Sequence, residues 1–470
     1  MNLGSGVDAL ASWLSGSSDP SGWAIAVAAA VLWLGPLLAI VLPIAALGQI
    51  IERKVAATMQ RREGPNSVGF EGAILFGFRI GLFFLPRFTQ DRAFATFCRL
   101  PGIAGALRVT RRLGLGQLAA DGVKMIGKED LIPGGADGMV FRLAPYLALT
   151  GAFLPFCVVP FAQHVTTLEV PISALFAIAI SGITVLALLM AGWGSGNKFS
   201  LLGGMRAVAQ VVSYEVPIGL AVAGVVLWCG TMDLHAIVAA QYNPGLFSFL
   251  GWNLLQSPFL AVLAFIFFLG GLAECQRSPF DMAEAESELV SGFNTEYSGM
   301  RWGMFAMAEY TEMILVGALF ATLFLGGYQS PIGEQWIVSL PPLAETLIHI
   351  TIFVAKFTAS LVLMVWIRWT LPRFRVDQIM RLCWLTLVPL CLAALAGLAL
   401  TMLIAGGTTP GVAYGLLPAA PRLALGTGGH VLAWIIPLVV GGFIVWLARR
   451  RYGQVHPAIR SLTTAPGATP

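Results

Sequence analysis

The chain has 470 residues, 57% of them hydrophobic and 11% charged, against about 25% charged in an ordinary soluble domain. That balance excludes a soluble enzyme and points to a polytopic membrane protein. The formal net charge of +4 then speaks to membrane topology and lipid headgroups rather than to nucleic acid.

A helix needs about 20 apolar residues to cross a bilayer. Runs of that kind predict spans at 23–48, 142–162, 172–192, 209–230, 255–273, 303–325, 347–367, 383–405 and 431–448. The fold class is therefore all-α and polytopic, with about nine transmembrane helices and interfacial amphipathic helices between them. Lysine and arginine set the orientation. Of the 28 basic residues, 26 fall on one face; the exceptions are Lys356, inside a span, and Arg422. By the positive-inside tendency that face is cytoplasmic, the N-terminus is external and the tail is cytoplasmic. The N-terminal segment 1–22 has no basic n-region and does not read as a cleaved signal peptide.

Polarity inside or beside the spans marks four places. Glu52, Arg53 and Lys54 stand where the first span leaves the membrane, ahead of a Gly64-Pro65-Asn66 turn. Residues 115–137 mix Leu118, Val123, Met125 and Ile126 with Asp121, Lys124, Lys128, Glu129 and Asp130, which suits an amphipathic helix lying along the interface or over a cavity. Glu215, Glu274, Glu309, Glu312 and Lys356 lie in or at the ends of spans, where ionisable groups face protein or water and point to proton handling or ion pairing. Residues 273–301 hold Glu274, Asp281, Glu284, Glu286, Glu288 and Glu296, with Arg277 the only base between Glu274 and Arg301. Such crowding is expected to raise one carboxyl's pKa against another and to share protons among them.

The chain offers no cofactor motif. Cys98, Cys157, Cys229, Cys275, Cys383 and Cys391 include no CxxC pair, and His164, His235, His349, His430 and His456 are scattered. Neither a zinc, haem nor iron–sulfur site is expected, and there is no glycine-rich nucleotide loop.

Five long segments carry a resemblance: IERKVAATMQRREGPNSVG at 51–69, QLAADGVKMIGKED at 117–130, AGWGSGNKFSLLGGMRAVAQVVSYE at 191–215, LAECQRSPFDMAEAESELVSGFNTEYSGM at 272–300 and LPRFRVDQIMRLCW at 371–384. In this order they resemble the H-subunit family of NADH-quinone oxidoreductase, called subunit 1 in mitochondria. The resemblance implies a membrane subunit of respiratory complex I that joins the hydrophilic arm to the proton-pumping arm, builds much of the quinone chamber and couples quinone reduction to proton translocation in a bacterial inner membrane. It implies that Glu215 and Glu274 belong to an acidic path leading from the quinone site. Arg277 and the acidic-loop residues Asp281, Glu284, Glu286 and Glu288 are implied to act with them. Glu52, Arg53, Asp121 and Lys124 are the implied quinone-chamber candidates. NADH, FMN and iron–sulfur clusters are implied in partner subunits, among them the terminal-cluster subunit, the hydrophilic quinone-site subunit and neighbouring membrane-arm subunits.

Two features depart from the family pattern. A basic amphipathic insertion, 71–111, interrupts the family core of 23–405. An outer loop with an extra helix, 406–448, and a basic tail, 449–470, follow the eight-helix bundle. Two alternatives compete: the homologous anchor of a membrane-bound hydrogenase, which need not bind quinone, and an independent secondary transporter, which would show half-to-half symmetry.

Overall fold

The computed structural model describes residues 41, 43–65, 114, 116–163, 165–166, 168–243, 247–283 and 286–406. The N-terminal segment, most of the first predicted span, the insertion 71–111, Glu284, nearly all of the outer loop, the ninth span and the tail lie outside them.

The described chain is helical. Helix α1 covers 43–59. Helix α2 is Gly116–Gly127, and α3, Gly138–Phe153, continues as a tighter turn through Val158. Then come α4, Ser173–Gly194, α5, Lys198–Cys229, and α6, Pro258–Glu274. Helix α7 is Gly299–Phe324 and α8 is Pro342–Thr370. Helix α9 runs from Val376 to Gly406 with a π-helical stretch at Leu382–Leu387. Six described helices are long and apolar enough to cross a membrane: α3, α4, α5, α7, α8 and α9. Helix α6 is apolar but shorter, at 17 residues, about 26 Å.

Helix α5 corrects the predicted boundary most. It begins at Lys198, capped by Asn197 accepting from the Phe199 amide at 2.9 Å, so Lys198 and Arg206 lie on the helix rather than in a loop. The polar residues of its first turns hide this start from a hydropathy window. Glu215 consequently sits in the middle of α5, not near its end.

Two prolines inside spans free backbone carbonyls that side chains then satisfy. Pro217 has no N–H for the Ser213 carbonyl, and the Cys383 thiol in the π-helical stretch of α9 donates to it at 3.0 Å. Pro145 likewise frees the Phe141 carbonyl, and the Tyr297 hydroxyl donates there at 3.1 Å. Burial lifts the Tyr297 phenol above its ordinary pKa and keeps it a donor. In a medium without water such partners are required.

The core lies among α5, α6, α7, α8 and α9, with a second cluster where α3, α4 and the start of α7 meet. Adjacent glycines draw α6 between its neighbours. A Cβ on Gly270 would lie 2.6 Å from Ile218 of α5, and one on Gly271 2.2 Å from Val316 of α7. This close approach places Glu274, one turn later, between α5 and α7.

Candidate functional site

The turn after α6 aims charge inward. Gln210 of α5, fully buried, donates through its amide to the Ala273 and Phe280 carbonyls, both at 2.7 Å. Gln276 between them takes a left-handed φ of 51°, and Arg277 turns back into the bundle. Its guanidinium binds Glu309 at 2.8 Å and lies 3.6 Å from Glu52. It also sits 4.6 Å from the centre of the Tyr310 ring. Arg368 of α8 pairs with the other Glu52 oxygen, and the Tyr310 hydroxyl donates to Glu52 at 2.6 Å. Two arginines thus face two glutamates, and the quartet is neutral. The carboxylates that Arg277 binds come from α1 and α7.

Three of the four, Glu52, Arg277 and Arg368, stand on one wall of a cavity of about 460 Å³, also lined by Gln49, Arg53, Ala56, Gly64 and Trp369. Beside it, Arg53 binds Asp121 of α2 at 2.7 Å, and Gln117 donates to the same carboxylate at 2.9 Å. Helix α2 is fastened to the start of α7. Arg301 pairs with Asp130 at 3.0 Å, and Ser298 bonds to the chain at Glu129 and Leu131. Val123 and Ile126 remain more than 70% exposed, as an interfacial helix requires. Of the four cavity candidates, the structure brings together Glu52, Arg53 and Asp121. Lys124 is exposed and does not line the cavity.

A second arrangement lies beside the first. Glu215 of α5, Glu274 of α6 and Glu312 of α7 are neighbours, with Glu274 in electrostatic reach of both others. A Cβ on Gly182 of α4 would lie 3.5 Å from a Glu215 oxygen. Ser181 and Thr184 on the same helix lie beside Glu274 and Glu312, and their hydroxyls donate to the backbone carbonyls of Ile178 and Ser181, at 2.8 Å each. A hydroxyl has one proton to give, and in both cases it goes to the carbonyl. Cys275 lies in electrostatic reach of Glu274, Glu312, Arg277 and Glu309, which makes it the junction between the two arrangements.

The acidic loop departs from expectation. Glu288 is exposed and bound to Arg206 at 2.7 Å. That hydrogen bond, helped by Arg206 and Arg373 charge, holds its pKa below the ordinary range rather than above it. Glu296 accepts from Asn197 at 2.7 Å, and Asp281 is half-buried. Glu286 opens a short helix, Glu286–Leu289, and Glu284 is outside the described residues. The loop acids with described partners thus bond to donors on α5 and its cap rather than to one another. Arg206 lies 82 positions from Glu288 in sequence, which concealed it.

Sequence reasoning marked Glu309 and Glu312 for proton handling or ion pairing without assigning them to the quinone site, and it did not include Tyr310 or Arg368. Their signal was present for the α7 trio, since carboxylates and a tyrosine at 309–312 interrupt an apolar helix. Arg368 read only as a topology charge.

A family model described as NADH dehydrogenase matches residues 103–399. The chain is 40% identical over 344 residues to the NADH-quinone oxidoreductase H subunit of Dehalococcoides mccartyi strain CBDB1, covering 73% of this chain and 89% of that one. It is 36% identical over 454 residues to the H subunit of Anaeromyxobacter dehalogenans strain 2CP-C, covering 93% and 95%. The H subunit of Bacillus cytotoxicus is 38% identical over 369 residues, covering 78% and 91%.

Proposed function

The chain belongs to the H-subunit family of NADH-quinone oxidoreductase, and on that premise we propose that it forms the quinone chamber of a proton-translocating NADH:quinone oxidoreductase. One observation carries the reading: the cavity of about 460 Å³ has Glu52, Arg277 and Arg368 of the neutral arginine–glutamate quartet on its wall and the Arg53–Asp121 pair, which ties it to the amphipathic α2, beside it. A quinone needs an apolar approach for its isoprenoid tail and fixed polar groups for its headgroup. Reduction takes up two protons with two electrons. The electrons come from partner subunits that hold NADH, FMN and iron–sulfur clusters, the terminal cluster among them.

In this reading Glu52, Arg53 and Asp121 shape the headgroup end, and Arg277 positions the quartet. Glu215 and Glu274, joined by Glu312, store and pass protons away from the cavity. Asp281, Glu284, Glu286 and Glu288 form the face presented to the hydrophilic quinone-site subunit. The membrane domain has nine spans, with the insertion 71–111 as an interfacial contact to lipid or to a neighbouring chain and the ninth helix at 431–448. The N-terminus is external and the C-terminus cytoplasmic in a bacterial inner membrane.

A photoreactive short-chain quinone analogue tests the site in membranes holding the whole complex. It is expected to label the wall formed by Ala56, Ala57 and Trp369, and excess quinone should compete the label away. Labelling confined to other subunits would contradict the reading.

A further inference from the structure

The far end of the bundle carries charge that neither arrangement uses. Lys356 lies on α8 twelve residues before Arg368, which is about 18 Å along a helix axis. Its ammonium donates to the carbonyls of Leu325 at 2.6 Å, Gly327 at 2.8 Å and Gln329 at 2.7 Å. It also lies 4.4 Å from the centre of the Trp252 ring. Three acceptors meet all three ammonium protons. Carbonyls take no proton away, so the geometry is that of a fixed cation rather than a relay.

Those carbonyls belong to the turn that ends α7, where the helix dipole is negative. Glu334 is in electrostatic reach of Lys356 and is itself buried. It accepts from the Ser330 amide at 2.5 Å and contacts the His349 ring nitrogen at 3.1 Å. Next to Lys356 in sequence, α7 and α8 come close: a Cβ on Gly317 would lie 3.2 Å from the Phe357 carbonyl oxygen. The rest of α7 carries Glu309, Tyr310 and Glu312. A helix has a fixed rise of about 1.5 Å per residue, so fixing the end of α7 against α8 also fixes the height of Glu309 and Tyr310 relative to Arg368.

Resting on the quinone-chamber reading, we propose that Lys356 is a positioning residue for the quinone site: its caged ammonium locks the register of α7 against α8, and so the geometry of the Glu52–Arg277–Glu309–Arg368 quartet. The nearest alternative is a clamp that stabilises the far end and nothing more. The two differ in the kinetics of the assembled complex.

The test uses the whole complex in native membranes, with Lys356→Met, Lys356→Arg and Arg368→Gln compared with the parent. Assembly, electron transfer from NADH to a hydrophilic acceptor, and KM and turnover with a short-chain quinone are measured together. Lys356→Met is expected to assemble and to keep the hydrophilic-acceptor activity. Its quinone KM should rise about tenfold, the effect of losing one charge-assisted anchor, with a smaller fall in turnover. Parental quinone KM and turnover in the assembled Met variant would overturn the proposal. If the Met variant does not assemble, Lys356→Arg decides, because a planar guanidinium cannot place one nitrogen on three carbonyls. A raised quinone KM supports the proposal and a parental KM overturns it. Arg368→Gln reports on the chamber separately. If it leaves quinone KM unchanged the chamber reading fails, whereas a raised KM there with parental Lys356 variants removes only the positioning role.

Discussion

The cavity quartet and the carboxylate chain share α7, and they treat charge in opposite ways. At the quartet, Arg277 and Arg368 cancel Glu52 and Glu309, and the Tyr310 hydroxyl fills a further acceptor site. At the chain, Glu215, Glu274 and Glu312 face one another, with Ser181 and Thr184 beside Glu274 and Glu312. One Glu215 oxygen is buried without a hydrogen-bond partner among the described residues. A cancelled set of charges holds a geometry and resists change in protonation. Uncancelled carboxylates in a low-dielectric interior can change state only by moving protons. The quartet therefore reads as the part that positions, and the chain as the part that responds.

The largest expected effect breaks the quartet. Arg277→Met removes the arginine shared by the buried Glu52 and the half-buried Glu309, and removing one partner of a buried ion pair costs about 3–5 kcal/mol. Loss of assembled complex on a native gel is expected, and full assembly with parental quinone activity would show that the quartet is not held by mutual cancellation. Next comes Glu312→Gln. It preserves shape but removes a proton-carrying site from the chain. Quinone turnover is expected to fall about 10²-fold, with electron transfer to a hydrophilic acceptor retained. Tyr310→Phe is milder. It deletes one hydrogen bond to a carboxylate, about 1.5–3 kcal/mol, and is expected to raise quinone KM about tenfold without loss of assembly.

The smallest effect is at the surface. Glu288 is exposed, and Arg206 holds its carboxyl below the ordinary range. A depressed folded-state pKa contributes stability above the unfolded value and loses it as pH falls through the folded value. For an exposed pair that contribution is slight and salt-screened. Arg206→Ala should therefore leave thermal stability of the complex at neutral pH nearly unchanged, and a large loss would mean that Arg206 has a partner beyond Glu288.

The sequence made the membrane class legible because apolar runs of bilayer length have no soluble reading. Spans two to four and six to eight appear as long apolar helices, and span five as the shorter α6. Helix boundaries were less legible. The polar first turns of α5 do not look like a span, although a 32-residue helix can project beyond the bilayer. Glu215 and Glu274 stood out because carboxylates in apolar runs are costly. Their junction with Glu312 depends on the glycine-allowed approach of α6 to α5 and α7, which no local pattern reports. Arg368 was hidden for the opposite reason. A basic residue at the end of a span is the ordinary topology signal, and only the fold shows that it turns inward to Glu52. The acidic loop misled because spacing alone suggested mutual repulsion, whereas folding brings Arg206 to Glu288 and Asn197 to Glu296.

The most direct measurement of the central claim is made on Glu215→Gln and Glu274→Gln in membranes holding the complete complex. Assembled complex, electron transfer from NADH to a hydrophilic acceptor, quinone reduction and proton pumping are measured in the same preparation. If the carboxylate chain passes protons, both variants assemble and keep the hydrophilic-acceptor activity, while quinone reduction and pumping fall together. Both variants assembled, with quinone reduction and pumping undiminished, would contradict it.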